Sequence, residues 1–164
     1  RKPPHMIARF LFTAAHALFW AATDARDIRN GKNINHPVRW AIRAAIEVGT
    51  SIVFAFIRNE PIGIRLVLVT IAAAFLFSAL FRFLLNTMRG RHWRYIAPWS
   101  NRYDHLMWSI PNFFKAEAWD WIEYGIRYHQ GNAMRQKTIH RAGTLAYIFE
   151  VVVFAILTFT ASVA

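Results

Sequence analysis

Four stretches of this chain stay apolar over lengths that approach or reach a bilayer's width, and this pattern restricts the fold more than anything else in the sequence. The longest uncharged run is 66–81, closed at its ends by Arg65 and Arg82. About 20 apolar helical residues cross a hydrocarbon core, and helices keep their backbone groups hydrogen-bonded where no water can do so. The expected spans are 7–23, 38–57, 62–85 and 143–164, the first of them short enough to be tilted or partly interfacial. With 55% hydrophobic and only 18% charged residues, the balance differs from that of a soluble domain, in which about a quarter of residues are charged. The expected fold class is therefore all-α, a polytopic integral membrane protein with about four transmembrane helices plus an aromatic-rich interfacial amphipathic helix. It is read as a single helical membrane domain covering 1–164. Residues 1–5, ahead of Met6, have the look of a cloning remnant, and the first apolar stretch lacks a small-residue cleavage signal, so it is read as a retained membrane helix.

Local signals set the boundaries. Asn30-Gly31, a pair that tolerates left-handed backbone, stops the first helix after a polar extension from Asp24 to Arg29. Pro37 opens the second behind Asn35-His36, and Arg58-Asn59-Glu60-Pro61 ends it. Arg39 and Arg43 place the first half of that helix in the headgroup layer, and Arg65 and Arg82 are expected to snorkel to opposite interfaces. The long connection 86–142 holds five of the seven tryptophans and four of the five tyrosines. Such rings favour the headgroup level, so this region is read as lying on the membrane, with an amphipathic helix over 113–130.

A net charge of +11 would also suit a nucleic-acid binder. Here the basic residues sit at the ends of apolar runs and in the connections, which favours anionic lipid and topology over a nucleic-acid groove. Arg26, Arg29, Lys32, Arg39, Arg89, Arg91, Arg94, Arg102, Lys115, Arg127, Arg135, Lys137 and Arg141 fall on one side of a four-span arrangement, against Arg58 and Arg65 opposite. The bias predicts a multi-pass protein of a bacterial-type inner membrane, large connections cytoplasmic and both termini outside. The chain has no cysteine, which excludes disulfides, thiolate metal sites and cysteine nucleophiles.

Against this apolar background His16, Glu47 and Glu150 each fall near the middle of a span. A charge at that depth costs roughly 2.5–3.5 kcal/mol on insertion scales, so it is rarely left without a partner or a job. The charged forms are disfavoured in hydrocarbon, which leaves a protonated pair, a bound cation or an ion pair as the stable states. His16, Glu47, Glu150 and Arg43 are accordingly the candidate intramembrane polar cluster. A purely structural alternative pairs Glu47 with Arg43 one turn earlier, and Glu150 with Arg9, Arg65 or a partner chain.

Elsewhere the signals are thinner. His36, His92, His105, His129 and His140 show no zinc-type spacing on one helix. A site assembled in space would draw on His105, His129 and His140 as metal ligands beside Asp104. His16 is the sole histidine deep in a span, which argues against a bis-histidine haem. Trp93, Trp99, Asn101, Arg102, Tyr103 and Asp104 are candidates for a pocket at the membrane surface. No phosphate loop or serine elbow is present. Two functions remain in play. One is a non-enzymatic assembly or pore component, a homo-oligomer or a subunit of a larger membrane complex, conducting protons or cations past Glu47 and Glu150. The other is a metal-dependent enzyme acting on lipid headgroups or a membrane-soluble substrate.

Overall fold

The structure, a computed structural model, describes residues 4–32, 34–95 and 133–163, with side chains over 6–32, 34–95 and 143–163. The described residues form four α-helices: α1 (Pro4–Arg29), α2 (His36–Ile57), α3 (Ile64–Met88) and α4 (Ala133–Val163). Each contains a stretch long and apolar enough to cross a membrane, in α4 the part Gly143–Val163. The chain is an all-helical, multi-pass membrane protein. The amphipathic helix expected over 113–130 lies outside the described residues.

The helix ends follow from short-range chemistry. Asn35 caps α2 by accepting the Val38 N–H at 3.2 Å, and Pro37 occupies the first turn, where its missing N–H costs nothing. At the other end Asn59 turns into left-handed backbone (φ 52°), so that its N–H reaches Phe56 and the Glu60 N–H reaches Ala55 at 2.9 Å. This paired closure satisfies two carbonyls that would otherwise be orphaned in a membrane. Gly31 (φ 68°) closes α1 in the same way, with Lys32 N–H bonded to the Asp27 carbonyl. Both closures position side chains used below: the first brings Glu60 back toward α1, the second sets Lys32 beside Asp27.

Two compact units make up the chain, Arg1–Gly90 with Phe149–Ala164, and Arg91–Ile148. In the first unit α1 and α3 run parallel: Met6 packs with Val69 and Ala161, while Ala17 and Ala21 pack with Phe77 and Phe81. Ala17, Ala21 and Ala25 are wholly buried, one turn apart on one face. Small side chains there let two backbones approach closely, the usual source of attraction between helices in lipid. A second face of α1 carries Ile7, Leu11 and Leu18, all exposed, and α2 likewise exposes Ile42, Val53 and Phe56. The buried set is rich in the opposite kind of residue: Arg9, Thr13, His16, Asp24, Asp27, Arg43, Glu47, Ser51, Arg82, Asn86 and Glu150. Apolar outside and polar inside is the distribution expected when the surrounding solvent is hydrocarbon.

In the second unit the Arg94 carbonyl lies so close to Gly143 that a Cβ there would stand 1.7 Å from its oxygen. Tyr147 donates to the Trp93 carbonyl at 2.9 Å and packs its ring on Trp93. Only glycine fits at position 143.

A native chain without cysteine allows a direct check of the topology. Single cysteines at Asn30 and Arg58, both exposed at helix ends, are expected to react with an impermeant thiol reagent from opposite sides of a sealed vesicle. Labelling of both from one side would refute the crossing of α2.

Candidate functional site

One face of α1 presents Arg9, Thr13, His16, Trp20, Asp24 and Asp27, spaced by four, three, four, four and three residues. That spacing lines them along a single stripe of a helix. The buried residues of α2 are Arg43, Glu47, Ser51 and Ala55, again one turn apart. The two stripes meet antiparallel and form a polar seam.

At the centre of the seam the His16 Nδ1 lies 2.7 Å from Glu47 Oε1, and the Thr13 hydroxyl donates to Glu47 Oε2 at 3.0 Å. Trp20 Nε1 donates to His16 Nε2 at 2.8 Å. From α3, the Phe77 ring covers the imidazole at 4.9 Å between centroids. His16 and Glu47 fall near the midpoints of their helices, the depth at which an unsatisfied charge is most costly.

Toward the α1–α2 connection the seam becomes ionic. Arg43 Nη2 donates to Asp24 at 2.5 Å, and Arg39 spans Asp24 and Asp27 with its two terminal nitrogens, the second at 2.6 Å. Lys32 stands 3.5 Å from Asp27. Only 2% of the Arg43 side chain is exposed, and its guanidinium lies 4.8 Å from the Trp20 ring centre, 4.3 Å from Phe81 and 5.7 Å from Trp40. Aromatic faces at these distances stabilise a desolvated cation. Toward the α2–α3 turn, Arg9 donates to Glu60 at 3.0 Å and so ties the first turns of α1 to the closure of α2. A separate buried pair joins α3 to α4: Arg82 Nη2 and the Ser78 hydroxyl both donate to Glu150 Oε1, at 2.8 and 2.7 Å.

These placements revise several expectations. His16 and Glu47 come together, but Arg43 turns to Asp24 rather than to Glu47, because the aspartate of α1 stands opposite while Glu47 is already bonded to His16 and Thr13. Arg39 and Arg43 face α1, where they pair with Asp24 and Asp27. Arg82 does not snorkel, since Glu150 on the neighbouring helix draws it inward, and this is the arginine that pairs Glu150, in place of Arg9 or Arg65. Arg9 goes to Glu60. Thr13, Trp20, Asp24 and Ser78 were not among the expected site residues. The spacing of the α1 residues is present in the sequence, but Asp24 and Asp27 belong there to the polar extension that ends the helix.

Trp93 is exposed, stacked on His92 and covered by the Arg94 guanidinium at 5.4 Å. Trp99, Asn101, Arg102, Tyr103, Asp104, His105 and His129 lie outside the described residues, as does the side chain of His140. Among the described residues no group of three His, Asp or Glu side chains is placed to hold a metal ion.

The α3–α4 pair has a measurable consequence. Removing one partner of a buried ion pair costs about 3–5 kcal/mol, whereas replacing both with apolar residues of similar volume is often neutral. Arg82→Met and Glu150→Leu should each lower the stability of the protein in detergent by about that amount, and the double variant should recover most of it. Additive losses in thermal unfolding would show that the two side chains do not act as a pair.

Comparison with protein-family models, with curated proteins and with solved structures finds no match.

Proposed function

We propose that this protein is a membrane component whose His16–Glu47 couple takes up and releases a proton at mid-membrane. The reading is supported by the way charge is distributed among the buried carboxylates. Asp24 and Asp27 face Arg39 and Arg43, Glu60 faces Arg9, and Glu150 faces Arg82. Among these carboxylates Glu47 alone is bonded to no arginine; its partners are an imidazole and a hydroxyl. The permanent cations are committed elsewhere, so the couple carries one negative charge that a single proton neutralises.

This assignment moves the functional emphasis from Glu150 to Glu47. An arginine is always charged, so Glu150 sits in a pair that is neutral as it stands and has no need of a proton. The Glu47 couple changes its net charge with one proton, the property a relay requires. From it, the Asp24–Arg39–Asp27 network continues along the same seam toward Lys32 at the α1–α2 connection. Arginine and lysine at Arg26, Arg29, Lys32, Arg89, Arg91 and Arg94, against Arg58 and Arg65, support an orientation with that connection cytoplasmic, facing anionic lipid of a bacterial-type inner membrane.

Reconstitution with an entrapped pH-sensitive dye tests this reading. Glu47→Gln keeps the shape and the bonds to His16 and Thr13 but cannot ionise, and it should lower proton flux at least tenfold while the fold persists. Ser78→Ala, at the other carboxylate, should leave flux within about twofold, since it removes one neutral hydrogen bond. Full flux through a folded Glu47→Gln protein would overturn the proposal.

A further inference from the structure

Trp20 touches both halves of the seam with one ring. Its Nε1–H donates to His16 Nε2 at 2.8 Å, and its face lies 4.8 Å from the Arg43 guanidinium. An indole N–H is a donor only. The nitrogen that receives it must present a lone pair, so the proton of a neutral imidazole is left on Nδ1, where it points at Glu47 Oε1 2.7 Å away. A second proton on His16 would have to sit on Nε2, against the indole N–H. Two donors would then face each other in a site closed by Phe77 on α3.

We propose that Trp20 is a positioning residue that holds His16 as the neutral Nδ1–H tautomer and so directs proton exchange to Glu47. The proposal rests on the proton reading of the couple and names the atom at which the exchange occurs. Oε1 keeps accepting from His16 throughout. The incoming proton, delivered by hydronium that leaves as water, forms a bond to Oε2, and Thr13 changes there from donor to acceptor. On release the proton returns to water and the Thr13 hydroxyl donates again. No other group of the protein changes charge in either direction.

The surroundings favour this division of roles. The groups facing His16 are Thr13, Phe12 and Trp20 on its own helix, Glu47 on α2 and Phe77 on α3. The nearby strong cation, Arg43, is held by Asp24 and caged by Trp20, Trp40 and Phe81. A cation over the indole face also draws electron density from the ring and strengthens its N–H as a donor, the mutual polarisation seen in hydrogen-bond chains at low dielectric. Arg43 thereby bears on His16 without touching it.

The test reads the tautomer directly by nitrogen NMR of histidine-labelled protein in bilayers, with the His16 signals identified by their loss in His16→Gln. The native protein should show a protonated Nδ1 and a bare Nε2 across the pH range in which flux operates. In Trp20→Phe, Nε2 should gain a proton and imidazolium signals should appear, since the neutral ring loses the hydrogen bond that only it accepts, and the pH dependence of flux should change. Replacing Trp20 by 3-benzothienylalanine, which keeps the ring's shape and its face over Arg43 but lacks the N–H, should give the same result and guards against a folding failure of Trp20→Phe. A protonated Nε2 in the native protein, or nitrogen signals unchanged when the N–H is removed, would overturn the assignment. A locked tautomer in a native protein without flux refutes the proton reading alone; flux through a native protein whose Nε2 carries the proton refutes the role of Trp20 alone.

Discussion

Hydrocarbon supplies no hydrogen-bond partner, and the buried charges among the described residues are arranged around that fact. Eleven polar or charged residues lie in the interior of the described chain, and the helices associate where those residues find one another. Between α1 and α2 the contact is a ladder of polar pairs from Arg9–Glu60 through His16–Glu47 to Arg39 with Asp24 and Asp27. Between α1 and α3 the contact is made by alanines against phenylalanine. These two helix pairs use the two devices available in lipid, polar bonding and close backbone approach.

The two mid-span carboxylates illustrate how environment assigns roles to identical side chains. Glu150 is fully buried and meets an arginine and a serine, so its charge is cancelled permanently and its contribution is to hold α4 on α3. Glu47 is nearly as buried but meets a histidine and a threonine. On the proposed reading this couple carries one negative charge that a proton on Glu47 cancels, whereas the arginine pair is neutral without one. The aromatic cage around Arg43 serves the same separation: it keeps a permanent cation stable at its own aspartate, one turn from Glu47, without neutralising it.

Most of the scaffold was legible in the chain. The four apolar segments, the stop at Asn30-Gly31, the cap at Asn35 and the break at 58–61 depend on residues close in sequence, and the helices end where those signals lie. The inward polar residues His16, Glu47 and Glu150 were legible too, since a charge in an apolar run stands out against its neighbours. The partners were harder to read. Arg82 looked like a flanking residue because it closes an uncharged run, and Arg43 looked like the partner of Glu47 because four residues separate them.

What the sequence determined by itself is the solvent: its apolar length and the placement of its arginines commit the chain to helices in a bilayer, because backbone hydrogen bonding in hydrocarbon permits little else. Only the tertiary structure decided which charge meets which. Glu150 acquires Arg82 from 68 residues away and Glu47 acquires His16 from 31 residues away, and helical periodicity can indicate that a side chain faces inward but not which neighbouring helix it will face. The physical reason is that pairing energies in the interior depend on the rotation and register of whole helices. Those are set by alanine stripes, aromatic packing and terminal closures acting together, so the role of each carboxylate emerges only when the helices have docked.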